Sequence, residues 1–341
     1  MRLSLKSLLA IIVLSFFLAA CGRKEQTAPE KKRFKKEVLL KTTPVKNQGA
    51  SSLCWVYAML ATIETEHLMQ GDSVNLSADY VGRAFLKEQA NEIMMTGKGE
   101  ISTRGIGSML LRLIQRYGIT HYDAYHRKDN CSYNILGRKL QKMAMANAND
   151  LRDRQQQIDE ALDEAIGPVP RYVFMLGAEY TALEFAHSVC RENEYDALTS
   201  FSHHPFNESF PLEIPDNRYH DTFLNVPLDT LMRRVETSLR QGHPVCWEGD
   251  ISEPGFLWKQ GIATLSDEDK NITQDVRQEA FEHRNTTDDH CMEIIGIARD
   301  HDGKKFFVMK NSWGRNNAYG GIMFMSENYM RLKTIAVFLP K

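Results

Sequence analysis

The distribution of apolar residues divides this chain into a helical front half and a strand-rich back half. Between 54 and 69, apolar side chains recur at near-helical spacing and Gly71 supplies a stop. A second amphipathic helix is predicted over 108–117, closed by Gly118. The polar segment from about 130 to 167 is also predicted to be helical, with one apolar stripe that we expect to pack onto the main body. That stripe consists of Ile158, Leu162, Ala165 and Ile166.

Beyond residue 206, short β-rich runs alternate with turn residues. The predicted strands cover 244–248, 291–298, 306–310, 321–325 and 334–338. A helix is predicted among them over 228–241. A helical half and a β-rich half indicate two lobes with a cleft between them, where groups from distant segments can meet.

The first twenty residues have the layout of an export signal. Two positive charges precede an apolar run of 13 residues from Leu8 to Ala20, which is shorter than the roughly 20 residues that span a bilayer. Small residues directly before Cys21 are typical of the cleavage and lipidation site of a bacterial lipoprotein. We therefore predict a signal peptide over 1–20 and a lipid on Cys21, with a plain cleaved signal or an uncleaved anchor as alternatives. Gly22 rather than Asp favours the outer membrane, on its periplasmic or cell-surface face.

The segment after the signal is rich in charge. Residues 22–37 contain seven Lys or Arg, three Glu and one Pro, and they offer too little apolar surface to fold alone. A flexible tether is therefore predicted over 21–38, and a clamp on anionic lipid headgroups is the alternative. Of the 42 basic residues, two belong to the signal, so 40 basic residues face 44 acidic ones and the net charge is about −4. This balance excludes nucleic acid as an expected partner.

The chain contains six cysteines, of which Cys21 is assigned to lipid and Cys54 to chemistry. Four remaining thiols could pair in three ways in an oxidising compartment. About 300 residues are left for folding, and a domain of that size needs no disulfides, so unpaired core thiols are favoured. These thiols belong to Cys131, Cys190, Cys246 and Cys291.

Three distant segments supply the groups that attack on a peptide carbonyl requires. Cys54 begins the predicted helix over 54–69, and the partial positive charge of a helix N-terminus favours a thiolate. His290 is the candidate base and Asn311 the group that orients it, while Gln48 is the candidate oxyanion donor. Each residue alone is most often structural, so the order and local context of all four carry the interpretation.

These residues and their neighbours resemble the papain-fold cysteine peptidases, and within them the bleomycin hydrolase and aminopeptidase C family. The matching motifs are Gln48 to Cys54-Trp55, Asp289-His290 and Asn311-Ser312-Trp313-Gly314, with further matches at Ser202-His203-His204-Pro205-Phe206, Glu213-Ile214-Pro215-Asp216-Asn217, Gly249-Asp250-Ile251-Ser252 and Thr287-Asp288. The similarity extends from about residue 40 to the last residue. It implies peptide substrates and catalysis without metal or cofactor.

The implied fold is α+β, a papain-like two-lobed peptidase with a helical lobe, a β-rich lobe and a helical insertion. We predict a helical lobe with the nucleophile over 39–124, a mainly helical insertion over 125–205, and a β-rich lobe with the catalytic histidine and asparagine over 206–341. The insertion is inferred because Cys54 and His290 lie 236 residues apart, against roughly 130 to 150 in simple papain-like enzymes.

The resemblance also implies supporting roles for four residues. Trp55 and Asp289 are expected to support the catalytic pair, and Trp313 is expected to shield the hydrogen bond between the histidine and the asparagine from water. Gly105 resembles the family glycine whose backbone pairs with an extended substrate, a close approach that only a residue without Cβ allows.

Two features depart from the resembled families. Ser51 stands where papain and the cathepsins have a disulfide-forming cysteine. In the aminopeptidase C family, a C-terminal arm lies along the cleft and its carboxylate binds the amino group of the substrate. Here 30 residues follow Asn311 and end in a predicted strand, so we expect no long arm. Aminopeptidase and endopeptidase action therefore both stay open, and so does the oligomeric state.

Two other functions fit the same residues. One is a transglutaminase or amidase on the same fold, and the other is a surface lipoprotein that binds peptides without catalysis. His203 and His204 are metal-ligand types, but no cysteine or carboxylate spacing completes a site around them, so we expect structural roles and no metal.

Overall fold

The computed structural model describes residues 32–127, 131–146, 150–175 and 177–341. The predicted signal peptide over 1–20 and the lipid site Cys21 lie outside the described residues. Among the helices of the described part, none is sufficiently long and apolar to cross a membrane.

The helices follow the apolar periodicity closely. The helix at the centre of the protein, α1, spans Cys54–Met69 as predicted, and it is buried on all sides through most of its length. The helix predicted over 108–117 is also present, and Gly118 ends it at a positive φ of 82°. In chain order the helices are α1 (Cys54–Met69), α2 (Ala78–Thr96), α3 (Gly107–Tyr117), α4 (Tyr133–Met145), α5 (Leu151–Ala165), α6 (Ala182–Val189), α7 (Leu228–Arg240), α8 (Gln274–Glu282) and α9 (Glu327–Lys333).

Most of the strands form one large sheet. In chain order they are β1 (Lys35–Leu39), β2 (Val173–Met175), β3 (Ala178–Tyr180), β4 (Tyr195–Thr199), β5 (Ser209–Pro211), β6 (Thr222–Asn225), β7 (Val245–Gly249), β8 (Phe256–Leu257), β9 (Ile262–Ala263), β10 (His290–Arg299), β11 (Lys305–Lys310), β12 (Ile322–Ser326) and β13 (Thr334–Pro340). The sheet order is β5-β6-β4-β13-β7-β10-β11-β12-β9-β8, β1 also pairs with β10, and β2 and β3 form a separate hairpin. All five predicted strands are present, each within one or two residues of its predicted ends.

The two faces of the sheet carry two different cores. Side chains directly opposite each other on antiparallel strands point to the same face. One face, with Cys246 and Cys291, packs against α1 and the other helices of the front half, while the opposite face, with Trp247 and Met292, packs against α7. The N-terminus of α1 thus meets the beginning of β10, and this junction positions the candidate site.

The segment predicted as a mainly helical insertion, 125–205, contains α4, α5 and α6. The apolar stripe of α5 is buried and packs on α2 and α4, as expected. However, the same segment also contains β4, which pairs with β13 and β6 inside the main sheet. The periodicity alone does not show this strand because Asp196 interrupts its short apolar run.

The tether predicted over 21–38 ends earlier than expected. Lys35–Leu39 pair with β10, and the ring of Phe34 stacks on Phe324 with ring centroids 3.9 Å apart. This charged segment has little apolar surface of its own, but the edge of the existing sheet supplies backbone partners and its aromatic residues supply a pocket.

Candidate active site

Cys54 is the first residue of α1 and is buried. Its sulfur accepts hydrogen bonds from the thiol and the backbone N–H of Cys291, and it is hydrogen-bonded to the side chain of His290. The helix places free N–H groups and partial positive charge at the same end. The sulfur is therefore surrounded by groups that favour its anion.

His290 is the first residue of β10 and is held from behind by Asn311. The distance from His290 Nε2 to Asn311 Oδ1 is 2.9 Å. Asn311 Oδ1 also accepts the backbone N–H of Ser312 at 2.7 Å, so this oxygen is an acceptor and the imidazole nitrogen donates. The other ring nitrogen, Nδ1, is then the one that faces the sulfur of Cys54.

Trp313 lies beside this hydrogen bond. Its ring centroid is 4.7 Å from that of His290, with the rings tilted by 43°. Trp258 in turn packs edge-on against Trp313 at 5.3 Å. The indole therefore covers the imidazole on one side, which is the location that shielding from water requires.

The electrostatics of the pair follow from these contacts. The hydrogen bond from the Cys291 thiol holds the pKa of Cys54 well below its usual range in spite of burial, and the hydrogen bond and charge of His290 act in the same direction. Burial would lower the pKa of His290, but the hydrogen bond and charge of the Cys54 thiolate, followed by the Asn311 contact, raise the pKa above its ordinary value. Both shifts favour a thiolate next to an imidazolium at neutral pH.

Gln48 is buried next to the nucleophile and its side-chain amide has a defined orientation. The hydroxyl of Ser312 donates to Gln48 Oε1 at 2.6 Å, and Gln48 Nε2 donates to the backbone oxygen of Ser51 at 2.6 Å. Because the oxygen is occupied by Ser312, the NH₂ group faces the side of Cys54. Its second N–H, together with the backbone N–H of Cys54, is available for an oxyanion.

A cavity of about 160 Å³ joins these groups. Its lining includes Gln48, Ser51, Ser52, Cys54, Arg104, Gly105, Asp216, Glu248, Ile251, Asp288, Asp289, His290, Cys291 and Trp313. Three of its walls, at 104–105, 216 and 248, come from segments remote in sequence from the catalytic motifs. All the predicted site residues outside the N-terminal signal region therefore lie in or around one cavity, with Asn311 and Trp55 directly behind it.

Comparisons with known proteins point in one direction. The family model described as the peptidase C1-like family matches residues 173–339. Aminopeptidase C of Streptococcus thermophilus is 22% identical over 87% of this chain and 80% of its own length. Aminopeptidase G of Lactobacillus delbrueckii subsp. lactis is 21% identical over 89% of this chain and 82% of its own. The crystal structure of PepW from Lactobacillus rhamnosis HN001 superposes with a TM-score of 0.69 at 20% identity, covering 90% of this chain and 82% of that one. The chain is a papain-fold cysteine peptidase that resembles aminopeptidase C.

In this peptidase, packing against Trp55 requires a glycine at position 105, which the sequence did not indicate. A Cβ built at Gly105 would lie 2.8 Å from Cε2 of Trp55, whose Nε1 donates to the backbone oxygen of Thr103. Gly105 lines the cavity, as a substrate-binding position must, and it also allows the buried indole to pack beneath the 103–105 segment.

Asp289 supports the peptidase site through the backbone. Its Oδ1 accepts the N–H of Ile251 at 2.8 Å, which ties the β7–β8 loop to the segment before the catalytic histidine. Burial raises the pKa of Asp289 to about 6. The neighbouring Asp288 is more strongly affected, since burial and the charge of Asp216 raise its pKa to about 7.

The histidine pair outside the cavity has a carboxylate partner that sequence spacing did not reveal. Glu213 accepts from Nε2 of both His203 (3.2 Å) and His204 (2.6 Å), and these three residues could hold a metal ion by distance. However, Gln278 Oε1 accepts the backbone N–H of Ser202, so its amide nitrogen donates to His203 Nδ1. This contact places the proton of neutral His203 on Nε2, which faces the carboxylate and is thereby occupied.

Of the cysteines in the described part of the chain, Cys54, Cys131, Cys190, Cys246 and Cys291 are all free. The predicted unpaired core thiols are thus found, with Cys131 only half-buried. The residue that sequence reasoning missed is Cys291, since its position directly after His290 was the only signal of a role at the nucleophile.

Proposed function

We propose that this peptidase hydrolyses peptide bonds through a Cys54 thiolate and a His290 imidazolium. The thiolate attacks the carbonyl carbon and forms a tetrahedral intermediate, whose oxyanion accepts from Gln48 and from the backbone N–H of Cys54. His290 then donates its proton to the leaving amine, which leaves an acyl-enzyme. A water molecule, deprotonated by the neutral imidazole, attacks the thioester and releases the acid and the free thiolate.

One observation carries this proposal. A single imidazole is hydrogen-bonded to the sulfur of Cys54 and, through Nε2, to Asn311 Oδ1, while an oriented amide of Gln48 opens onto the same cavity. A protein that only binds peptides does not require a lowered pKa of the Cys54 thiol. The arrangement matches the needs of acyl transfer in charge as well as in position.

The decisive experiment compares Cys54→Ala with Cys190→Ala on fluorogenic peptide substrates. Cys190 is a buried thiol away from the cavity, and burial raises its pKa to about 12, so its replacement controls for the loss of a core sulfur. We expect Cys54→Ala to abolish turnover and Cys190→Ala to retain it. An epoxide or vinyl-sulfone probe should label the parent at Cys54 alone. Turnover by Cys54→Ala within tenfold of the parent would refute the mechanism, and added amine nucleophiles appearing in the product would indicate a transferase.

We also propose that the peptidase is anchored by a lipid on Cys21, on the strength of the apolar run and the Leu18-Ala19-Ala20-Cys21 motif. Replacement by Cys21→Ser is expected to abolish incorporation of a labelled fatty acid and to release the protein from the membrane fraction. Cys131→Ser is the matched control and should remain bound. Release without loss of label would contradict the assignment.

The choice between aminopeptidase and endopeptidase depends on what receives the amino side of the substrate. The relatives are named as aminopeptidases. A receptor on the wall of the cavity beside Cys54 would bind that part of the substrate.

A further inference from the structure

The cavity beside Cys54 has an acidic wall on one side. Glu248 and Cys291 are directly opposite each other on β7 and β10, so both side chains point to the face of the sheet that meets α1. Cys291 touches the sulfur of Cys54, and both Glu248 and Cys291 line the cavity. Glu248 thus lies one strand away from the nucleophile.

The carboxylate of Glu248 is buried with half of its hydrogen-bonding capacity unused. The residue is only 2% exposed, and one of its oxygens accepts the backbone N–H of Gly107 at the beginning of α3. Oε2 has no hydrogen-bond partner. Burial, together with the charges of Asp288 and Asp216, raises the pKa of Glu248 well above its usual range, because no cation in the described part of the protein offsets its charge. A cationic donor that arrives with the substrate would supply both the missing partner of Oε2 and the compensating charge.

Asp288 adds a second carboxylate to the same wall. It is 6% exposed, and its Oδ2 accepts the backbone N–H of Asp216 at 3.3 Å. Within the described ranges, no lysine or arginine forms a salt bridge with the carboxylate of Asp288 or Glu248.

Among the described residues, Arg104 is the only arginine that lines the cavity, and its side chain already has partners. Arg104 Nε donates to Asp216 Oδ1 at 2.9 Å, and its Nη2 donates to the backbone oxygen of Asp288 at 2.8 Å. Its charge is therefore offset within the wall. A negatively charged substrate group would be repelled there, whereas a protonated amine would find two acceptors.

We propose that Glu248 and Asp288 form a receptor for a protonated amine of the substrate, positioned next to the scissile carbonyl. The inference rests on the proposed peptidase function and adds the class of substrate. A primary ammonium carries three donors, which matches one oxygen of Glu248 and the carboxylate of Asp288. Two sources present this group, a lysine side chain on the amino side of the cleaved bond and the free α-amino group of an N-terminal residue.

Two pairs of fluorogenic aminomethylcoumarin amides separate these sources. Acetyl-Lys-Leu is compared with acetyl-norleucine-Leu, which lacks only the side-chain ammonium, and free Leu is compared with acetyl-Leu. We expect the ammonium-bearing member of at least one pair to have a kcat/KM higher by roughly 30-fold or more, since loss of one partner of a buried charge pair produces effects of this size. The pair that shows the preference identifies the source.

Charge-removing variants of the purified full chain then test the receptor. Glu248→Gln and Asp288→Asn remove the charge but keep the shape of the side chain and a hydrogen-bonding oxygen. Each is expected to remove most of the preference for the ammonium-bearing substrate, through an increase in its KM. In the double variant, the ratio of kcat/KM between the two substrates of the pair should be less than threefold. Glu213→Gln removes a carboxylate that does not line the cavity beside Cys54, so it is the matched control and should retain the preference. Turnover of the norleucine substrate reports the peptidase function separately from the receptor.

The outcomes are distinguishable. Hydrolysis of all four substrates without an ammonium preference overturns the receptor and leaves the peptidase intact. A preference that survives the double variant does the same. If none of the four is hydrolysed, both the receptor and the proposed function fail.

Discussion

The hydroxyl of Ser312 donates to Oε1 of Gln48 at 2.6 Å, joining two residues 264 positions apart in the chain. Ser312 follows Asn311, so a single short segment orients both the imidazole and the oxyanion donor. Asn311 accepts a hydrogen bond from His290, and the adjacent Ser312 donates one to Gln48. The proposed base and the proposed oxyanion donor are thereby positioned by the same loop.

Removal of the Ser312 hydroxyl should leave the Gln48 amide in place but less firmly oriented. Ser312→Ala is expected to lower kcat about fivefold, the factor that corresponds to one neutral hydrogen bond of ~1 kcal/mol. Gln48→Ala should lower kcat about 100-fold or more with little change in KM. Steady-state kinetics of both variants checks this order. A Ser312→Ala effect as large as that of Gln48→Ala would mean that Ser312 acts on the substrate directly.

The thiol of Cys291 should contribute to the acidity of the nucleophile. Its hydrogen bond lowers the pKa of Cys54, so Cys291→Ala is expected to raise that pKa and move the acidic limb of the pH–rate profile to higher pH. The rate of alkylation by iodoacetamide as a function of pH measures the shift directly. Cys246→Ala, which removes a buried thiol of the same sheet face, serves as the control. An unchanged acidic limb in Cys291→Ala would assign the low pKa to His290 and the helix alone.

Asn311 should set the alkaline limit of activity. In the proposed mechanism, activity requires a protonated His290 and is lost as pH rises through its pKa, which the Asn311 contact helps to raise. Asn311→Ala is therefore expected to move the alkaline limb to lower pH, in addition to lowering kcat through loss of orientation. The pH dependence of kcat/KM separates the two effects. An alkaline limb at the parental position would limit Asn311 to orientation.

Asp288 should make stability depend on pH. Its pKa is raised to about 7, against ~3.9 in the unfolded chain, so the folded state binds more protons in this interval. Its contribution to stability therefore falls as pH rises from about 4 to 7. Asp288→Asn should raise Tm relative to the parent at pH 8 by about 2 °C or more, with a smaller gain at pH 4. Asp267→Asn, at an exposed position, is the control and should show no such pH-dependent difference. An equal change in Tm for Asp288→Asn at both pH values would contradict a raised pKa of Asp288 in the folded state.

The packing of Gly105 on Trp55 predicts a loss of stability on substitution. A Cβ at 105 would lie 2.8 Å from the buried indole, so Gly105→Ala is expected to cost about 1–3 kcal/mol of unfolding free energy. Gly137→Ala, in the interior of α4 where the nearest atom is a side-chain carbon at 3.3 Å, is the matched control. Chemical denaturation of both variants measures the difference. A neutral Gly105→Ala with lost activity would favour the substrate-binding role alone.

Local patterns in the sequence are sufficient to predict the main helices and strands of this peptidase and the side chains proposed for its chemistry. The helix at Cys54–Met69 and the strand over His290–Arg299 are buried along most of their length, so each is an apolar run of the length of its element, and turn residues such as Gly71 and Gly303 follow it. The ordered motifs around Cys54, His290 and Asn311 predict the candidate catalytic groups from the sequence alone.

The surroundings of Cys54, in contrast, result from contacts between segments that are distant in the chain. Glu248 and Cys291 become neighbours through the register of β7 and β10, and Arg104 and Asp216 reach the same cavity from separate segments. Strand β4 joins the sheet because β6 and β13 provide its partners, and Glu213 meets two histidines in the same way. Pairing and register depend on contacts between distant residues, and those contacts leave no periodic signal in a single sequence.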